Sequence, residues 1–173
     1  MCIWYRVYIS NGMKKRVLFV DDEPGTLLSC EANFRKMFEV YTAISADEAL
    51  HVIHELNSDK DPDKHICAIV SDHRMPVKNG VDLLSEIKKI FPTPERVILT
   101  AFGSSELLLQ AVKKADINYY LEKPMDIDKI VEIVSDATAT YSLRFRRQQL
   151  KQEIEERSGQ LEQINKELGI INP

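Results

Sequence analysis

The chain has 173 residues, 44% of them hydrophobic and 29% charged, a composition that suits one domain with an appendage and excludes a disordered or collagen-like chain. Its 23 basic and 27 acidic residues give a net charge of −4, so we expect no direct binding to nucleic acid. No apolar stretch approaches the ~20 residues that span a bilayer, and three cysteines without metal-ligand spacing favour a cytoplasmic protein with reduced thiols.

Residues 1–13 are interpreted as a short N-terminal leader. The segment is mildly apolar, but Arg6 interrupts it and Lys14 and Lys15 follow it, which is the reverse of the order found in a signal peptide. Translation from Met1 and from Met13 are both compatible with the sequence. We therefore place the start of the domain at residue 14.

Five short apolar runs then alternate with segments of helical periodicity. The runs predict strands at residues 16–20, 40–43, 66–71, 96–100 and 118–121. This alternation is typical of parallel strands joined by crossover helices, and runs this apolar are expected where both faces of a sheet are covered. The sequence therefore predicts an α/β fold, a doubly wound five-stranded parallel sheet with helices on both sides.

The intervening segments predict five helices with apolar residues at helical spacing. A capping box from Ser45 to Glu48 begins the second helix, and Pro92 follows the end of the third. The fourth, at about residues 104–115, contains three consecutive leucines, for which core packing and contact with a partner both stay open. The residues expected to face the core are Leu27, Cys30, Phe34 and Phe38 in the first helix, Ala46, Leu50, Ile53 and Leu56 in the second, Val81, Leu84, Ile87 and Phe91 in the third, and Ile130, Val134, Ala137 and Tyr141 in the fifth.

The fifth predicted helix continues beyond the domain. No glycine or proline occurs between Met125 and Ser158, so we expect a helix of about 40 residues. Nine positions after Tyr141, seven of them apolar, follow one another at alternating spacings of four and three, as in a left-handed coiled coil, and they lie on the face opposite the core stripe. We call these positions the seam, and its apolar members are Leu143, Leu150, Ile154, Leu161, Ile164, Leu168 and Ile171.

The seam favours pairing with a second copy of the chain, because a solitary surface helix would show a single apolar stripe. Arg147 and Arg157 occupy its two remaining positions. A helix folded back on its own domain is the alternative. The e and g charges taken alone leave the choice between parallel and antiparallel pairing open.

Polar residues follow the strands at one edge of the predicted sheet, where an open parallel sheet forms its binding crevice. Clustered carboxylates repel one another unless a cation lies among them, and oxygen ligands favour a hard ion, so Mg²⁺ is the predicted metal. Each acid taken alone is also compatible with a helix cap. The residues at these strand ends are Asp21, Asp22 and Glu23 after the first strand, Ser71 and Asp72 after the third, Thr100 after the fourth, and Lys123 and Pro124 after the fifth.

Four segments at these strand ends together resemble the response-regulator receiver domain of two-component signalling. The resemblance spans about residues 14–139. It implies the flavodoxin-like strand order 2-1-3-4-5, a receiver domain at residues 14–141 and a coiled-coil signalling helix at residues 142–173. The matching segments are Val20-Asp21-Asp22-Glu23-Pro24, Ser71-Asp72-His73-Arg74-Met75-Pro76 with Gly80, Thr100-Ala101, and Tyr120-Leu121-Glu122-Lys123-Pro124.

The resemblance implies that Asp72 is a phosphoacceptor, served by a sensor histidine kinase or a histidine phosphotransfer protein. The domain would then be a switch and not an enzyme that turns over a substrate. Mg²⁺, with Mn²⁺ as a substitute, would be bound directly by Asp22, Asp72 and the backbone carbonyl of Arg74, and through water by Asp21.

The resemblance also implies how a phosphoryl group on the protein is detected. Lys123, the Thr100 hydroxyl and the Ala101 backbone amide would contact it. Thr100 and Tyr120 would move together as the switch, and a cis peptide bond would precede Pro124. The signal would pass through the face formed by the fourth helix, fifth strand and fifth helix, and through a dimeric coiled coil, to an output domain or a partner.

A Mg²⁺-dependent phosphohydrolase with an aspartyl-phosphate intermediate is the alternative function. Such enzymes usually have a second acid two residues after the nucleophile. Arg74 occupies that position here.

Overall fold

A computed structural model describes residues 14–59, 61, 64–101, 113–124 and 126–168. Its five strands form one parallel sheet in the order β2-β1-β3-β4-β5, which confirms the predicted fold class and strand order. The strands are β1 (Arg16–Val20), β2 (Glu39–Ala43), β3 (Ile66–Asp72), β4 (Glu95–Thr100) and β5 (Tyr119–Glu122), and the helices are α1 (Pro24–Phe34), α2 (Ala46–Asn57), α3 (Gly80–Ile90) and the C-terminal helix (Ile127–Glu167).

Every strand lies within one residue of its predicted bounds. β5 begins at Tyr119 and not at Asn118, because Asn118 anchors the strand before it starts. The Asn118 backbone N–H donates to the Arg96 carbonyl at 2.9 Å, and its side-chain Oδ1 accepts from the Arg96 N–H, also at 2.9 Å.

Two layers of apolar side chains cover the sheet, one on each face. All seven residues of β3 are buried, as expected for a central strand with helices on both sides. The predicted core residues of the first and fifth helices are all buried, Phe38 just beyond the end of α1. In α2 and α3 the inner stripe is rotated, so Ala49 and Leu83 are fully buried while Leu50, Leu56, Val81 and Phe91 are only partly buried.

The capping box of α2 is present in a modified form. Ser45 Oγ accepts from the Glu48 N–H at 3.2 Å, as predicted. The Glu48 carboxylate accepts from the Ile44 N–H at 2.8 Å. In the usual capping box it would accept from the N–H of the cap residue itself, here Ser45, so the donor is one residue earlier in the chain.

The C-terminal helix is a continuous helix of 41 residues, which confirms its predicted length. The chain divides into two units, one ending at Tyr141 and one beginning at Ser142. Among the described residues, no helix is long and apolar enough to cross a membrane. The leader, the three leucines of the fourth predicted helix and Ile171 lie outside the described residues; residues 113–115, at the end of that helix, are helical.

Candidate functional site

The carboxyl edge of the sheet brings together two buried carboxylates and one lysine. Asp21 directly follows β1, Asp72 ends the neighbouring strand β3, and both side chains are almost completely buried. Lys123 follows β5, two strands away from β3. Its Nζ lies 2.7 Å from Asp72 Oδ1 and 3.1 Å from Asp21 Oδ2, so one ammonium group bridges the two acids.

Backbone hydrogen bonds hold this edge in place. The Lys123 N–H donates to the Thr100 carbonyl at 2.8 Å, and the His73 N–H donates to the Leu99 carbonyl at 2.8 Å. These two bonds continue the pairing of β4 with both neighbours beyond the strand ends. The long lysine side chain can therefore reach across the end of β4 to the acids.

Each carboxylate is also oriented by its own loop. Asp21 Oδ1 accepts from the Glu23 N–H at 2.9 Å, and Asp72 Oδ2 accepts from the Arg74 N–H at 2.7 Å. In both, the backbone N–H two residues later donates to the aspartate side chain, which is the Asx-turn arrangement. In each acid one oxygen is thus held by the backbone, and the other points toward Lys123.

Partial burial acts to lower the pKa of Lys123, but the hydrogen bonds and charges of Asp72 and Asp21 outweigh it, so the pKa is raised above its ordinary value. Lys123 is therefore fully charged at neutral pH. Its single positive charge is shared between two buried acids, which leaves the pair short of one compensating charge. A bound cation would supply it.

Gly80, the first residue of α3, allows the loop that follows β3 to close. A Cβ at this position would lie 2.0 Å from the Asp72 backbone oxygen and 2.8 Å from both Ser71 Oγ and Ile98 Cδ1. The Gly80 N–H donates to the His73 carbonyl at 3.0 Å. Any larger side chain at position 80 would clash with these atoms, so glycine is required there for steric reasons.

The other predicted site residues lie around this centre with different degrees of exposure. The Asp22 and Arg74 side chains are exposed, while Thr100 is buried at the end of β4 and Ala101 follows it on the surface. The peptide bond between Lys123 and Pro124 is cis, matching the prediction.

The second predicted switch residue, Tyr120, points outward with 51% of its surface exposed. In the register of β5 with β4, Tyr120 lies beside Ile98, and Ile98 is two residues before Thr100 on β4. Tyr120 and the buried Thr100 are thus carried by adjacent strands near the same edge.

The residues of this edge fit a magnesium ion that is only partly bound by protein. Within the described ranges, no group of three or more His, Cys, Asp or Glu side chains could hold a metal ion alone. Mg²⁺ usually retains several waters and takes one or two carboxylates, and the available donors at this edge are carboxylate and carbonyl oxygens. The site therefore matches the coordination habits of Mg²⁺ better than those of zinc.

Sequence reasoning missed two contacts at this edge. It assigned the Arg74 carbonyl to the metal but did not predict the hydrogen bond that the Arg74 N–H donates to Asp72. Aspartate commonly accepts such a bond from the backbone in turns, so the residue type at position 72 was a signal for it. It also assigned Lys123 to the phosphoryl group alone. No local signal would show that Lys123 bridges Asp21 and Asp72, because the three residues are far apart in the chain.

Comparison with known proteins agrees with this geometry. The profile of the family described as "Response regulator receiver domain" matches residues 17–135. The hydrogenase transcriptional regulatory protein HoxA of Bradyrhizobium diazoefficiens is 27% identical over 148 residues, 86% of this chain and 29% of that protein. The chemotaxis protein CheY of Halobacterium salinarum is 29% identical, over 72% of this chain and 97% of its own length.

A solved receiver-domain structure has the same fold. The response regulator receiver domain protein from Clostridium thermocellum superimposes with a TM-score of 0.66 at 29% identity, over 75% of this chain and 98% of that one. Against the first curated relatives, by contrast, the chain spans less than a third of their length. The similarity thus covers one domain of those longer regulators.

Proposed function

The chain belongs to the response regulator receiver family, and we propose that Asp72 is the residue through which it accepts a phosphoryl group. One observation carries the proposal. The Asp72 carboxylate lies at the end of the central strand, 6% exposed, with one oxygen 2.7 Å from Lys123 Nζ and the other 2.7 Å from the Arg74 N–H. Receiver domains are signalling switches and not turnover enzymes, and response regulators receive the group from histidine kinases.

The transfer we propose uses a phosphohistidine of a sensor kinase or phosphotransfer protein as donor. An Asp72 carboxylate oxygen attacks phosphorus, the P–N bond breaks, and the histidine nitrogen leaves with the bonding electron pair. Lys123 moves from Asp72 to an oxygen of the arriving phosphoryl group, where its charge stabilises the transition state. The Thr100 hydroxyl and the Ala101 N–H then donate to the other phosphoryl oxygens.

Receiver domains generally bind Mg²⁺ at their acidic phosphorylation site, and we propose the same for this chain, with Mn²⁺ as a substitute. Asp22, Asp72 and the Arg74 carbonyl would bind the ion directly, and Asp21 through water. When bound, the ion neutralises the negative charge of the phosphoryl oxygens. Asp21 and Lys123 orient the acceptor in either state.

Phosphorylation of the purified chain by acetyl phosphate tests this proposal, with a gel that retards phosphoprotein as the readout. We expect Mg²⁺-dependent labelling of the wild type and of D47N, since Asp47 lies on α2 with 88% of its side chain exposed. D72N should not be labelled. Equal labelling of D72N and wild type would refute the assignment of Asp72, and labelling unchanged by EDTA would refute the metal requirement.

We propose that the switch couples phosphorylation to Tyr120. Thr100 is already buried, whereas the Tyr120 side chain is half exposed, so an inward rotation of the tyrosine has a large surface to bury. The Y120W variant, combined with W4F because the chain already contains Trp4, offers a direct readout. Its tryptophan emission should shift to the blue on addition of beryllofluoride, an analogue of the phosphoryl group, and an unchanged spectrum would contradict the coupling.

We further propose that the receiver at residues 14–141 signals through a homodimer of the helix at residues 142–173, to an output domain or a partner. Support comes from the exposure of the seam in the single chain, between 43% and 73% for its six described apolar members. L161D should lower the mass measured by light scattering from dimer to monomer. Q152D, which adds the same charge on the outward face of the helix, should leave the dimer intact, and equal masses for both variants would contradict the seam.

The same mass measurement with beryllofluoride distinguishes two outputs. A mass that rises on activation indicates phosphorylation-driven dimerisation, and a constant dimer indicates rearrangement within it. We place this signalling in the cytoplasm, without direct nucleic-acid binding, in keeping with the net charge of −4 and with buried cysteines at positions 30 and 67. The phosphohydrolase alternative is not favoured by the comparisons, and steady release of phosphate from a phosphomonoester would be needed to revive it.

A further inference from the structure

We infer that two copies of the C-terminal helix pair antiparallel, in a register that places Leu143 of one chain against Leu168 of the other. The inference rests on the homodimer proposed above and adds its direction and register. The occupant of the exposed seam is thus a second copy of the same helix, reversed.

Charge along the helix is segregated. Residues 142–152 contain four basic residues and no acid, whereas residues 153–168 contain five glutamates and only two basic residues. In a parallel pair each half would lie against its own copy, and the two basic halves would repel. In the antiparallel pair with Leu143 against Leu168, residues 142–152, of charge +4, lie along residues 159–168, where Glu162 and Glu167 outweigh Lys166 and the charge is −1. The two segments therefore attract.

The two seam arginines give a second, independent reason. A parallel pair in register stacks identical residues, so Arg147 and Arg157 would each face their own copy inside the interface. In heptad notation the a positions of the seam are Arg147, Ile154, Leu161 and Leu168, and the d positions are Leu143, Leu150, Arg157 and Ile164. An antiparallel pair brings a positions against d positions, and no arginine then needs to face another. Arg157 is moreover already compensated within its own helix by Glu153, 2.6 Å away.

One register satisfies both conditions. It is symmetric about the point between Glu155 and Glu156, and it uses all eight seam positions of the described helix. Its layers are Leu143 with Leu168, Arg147 with Ile164, Leu150 with Leu161, and Ile154 with Arg157, each occurring twice.

The flanking g positions agree with this register. Arg146 lies beside Glu167 of the other chain, twice, and Glu153 lies beside the neutral Gln160. Lys151 meets only Ser158 at the e positions, so no like charges are apposed there. In a parallel pair, by contrast, Arg146 would lie beside Lys151 and repel it.

The neighbouring antiparallel registers are worse. A shift by one heptad in one direction places Arg147 against Arg157 and Glu153 against its own copy. The opposite shift places Glu153 against Glu167 and leaves Leu143 and Arg147 without partners among residues 143–168. Register and direction are therefore decided together by the same charges.

Cysteine cross-linking tests the direction directly, because residues 143 and 168 lie about 38 Å apart along one helix. The L143C and L168C variants are made in the full chain with C2S, since the native Cys30 and Cys67 are buried. With a short bismaleimide, an equilibrated mixture of L143C and L168C should give covalent dimer, whereas each variant alone should not. Cross-linking of each variant with itself, with no cross-link that joins L143C to L168C in the mixture, would show a parallel pair and overturn the inference.

Charge reversal tests the register. R146E should weaken the dimer at least tenfold, because it places glutamate against Glu167, and E167R in the same chain should restore affinity. R144E is the matched control with the same charge change, since Arg144 lies beside the neutral Asn165, and it should weaken the dimer less. A parallel pair predicts the opposite sign for R146E, which would then relieve repulsion from Lys151.

These experiments separate failure of the inference from failure of the proposed function. A monomer at all concentrations would refute the dimer and the inference together, while leaving labelling of Asp72 unaffected. A dimer with parallel cross-links would refute only the inference. An antiparallel cross-link with restoration by E167R would support both.

Discussion

Replacing Gly80 with alanine would place a methyl group where the structure has no room for one. The added Cβ would lie 2.0 Å from the Asp72 backbone oxygen, well inside van der Waals contact. That oxygen cannot move easily, since it belongs to the central strand and accepts a hydrogen bond from Ser71 Oγ at 2.9 Å. The start of α3 must therefore move away from β3 by about 1 Å or more.

The cost of this movement follows from the contacts that it disturbs. Overpacking a tight interior typically costs ~1–3 kcal/mol, and a clash with backbone on a buried strand belongs at the upper end. The gain in helix propensity from glycine to alanine, at most ~1 kcal/mol, offsets part of it. We expect G80A to lower the free energy of unfolding by about 2 kcal/mol and to slow phosphorylation, because Asp72 shares the displaced loop.

Urea unfolding followed by circular dichroism measures the first effect, and labelling with acetyl phosphate measures the second. G25A is the matched control, because a Cβ at Gly25 meets nothing within 4 Å, and we expect it to be neutral or slightly stabilising. A G80A protein as stable as G25A would refute the steric reasoning. Normal labelling of a destabilised G80A protein would refute the link to Asp72.

Three further predictions concern stability. Val77 has a left-handed backbone, φ 68°, and a fully exposed side chain, so V77G should stabilise the fold by about 0.5–1 kcal/mol in urea unfolding, as relief of strain exceeds the added freedom of the unfolded chain. N79A should destabilise by about 1 kcal/mol, because Asn79 Oδ1 caps α3 through the Asp82 N–H at 2.9 Å. Burial, assisted by Asp21, raises the pKa of Cys30 from 9.0 to about 11, so the free energy of unfolding should fall by roughly 2–3 kcal/mol as the pH rises through that range.

Each of these has its own contrary outcome. Loss of stability in V77G would show that the loop is not strained at Val77, and an N79A protein with unchanged unfolding would show that the cap contributes nothing. For Cys30 the sign follows from a folded-state pKa above the unfolded one, so the thiol stays protonated in the fold while the unfolded chain ionises. C30A should remove this part of the pH dependence, and an identical pH profile for C30A and wild type would contradict it.

The sequence alone determined where the strands lie and which residues end them. Apolar runs and helical spacing are local properties, and they are enough to place Asp21, Asp72, Thr100 and Lys123 at one edge once the strands are parallel. The absence of glycine and proline between Met125 and Ser158, which is also a local property, predicted the length of the C-terminal helix. It also indicated the seam, although pairing through the seam stays a prediction.

Only the tertiary structure decided how those residues meet. The bridge from Lys123 to Asp21 and Asp72 depends on strand order and on the reach of one side chain across β4, and the need for glycine at position 80 depends on how closely α3 approaches β3. Both are distances between segments that are remote in the chain. Such distances are set by the packing of both faces of the sheet, so no residue pattern within one segment contains them.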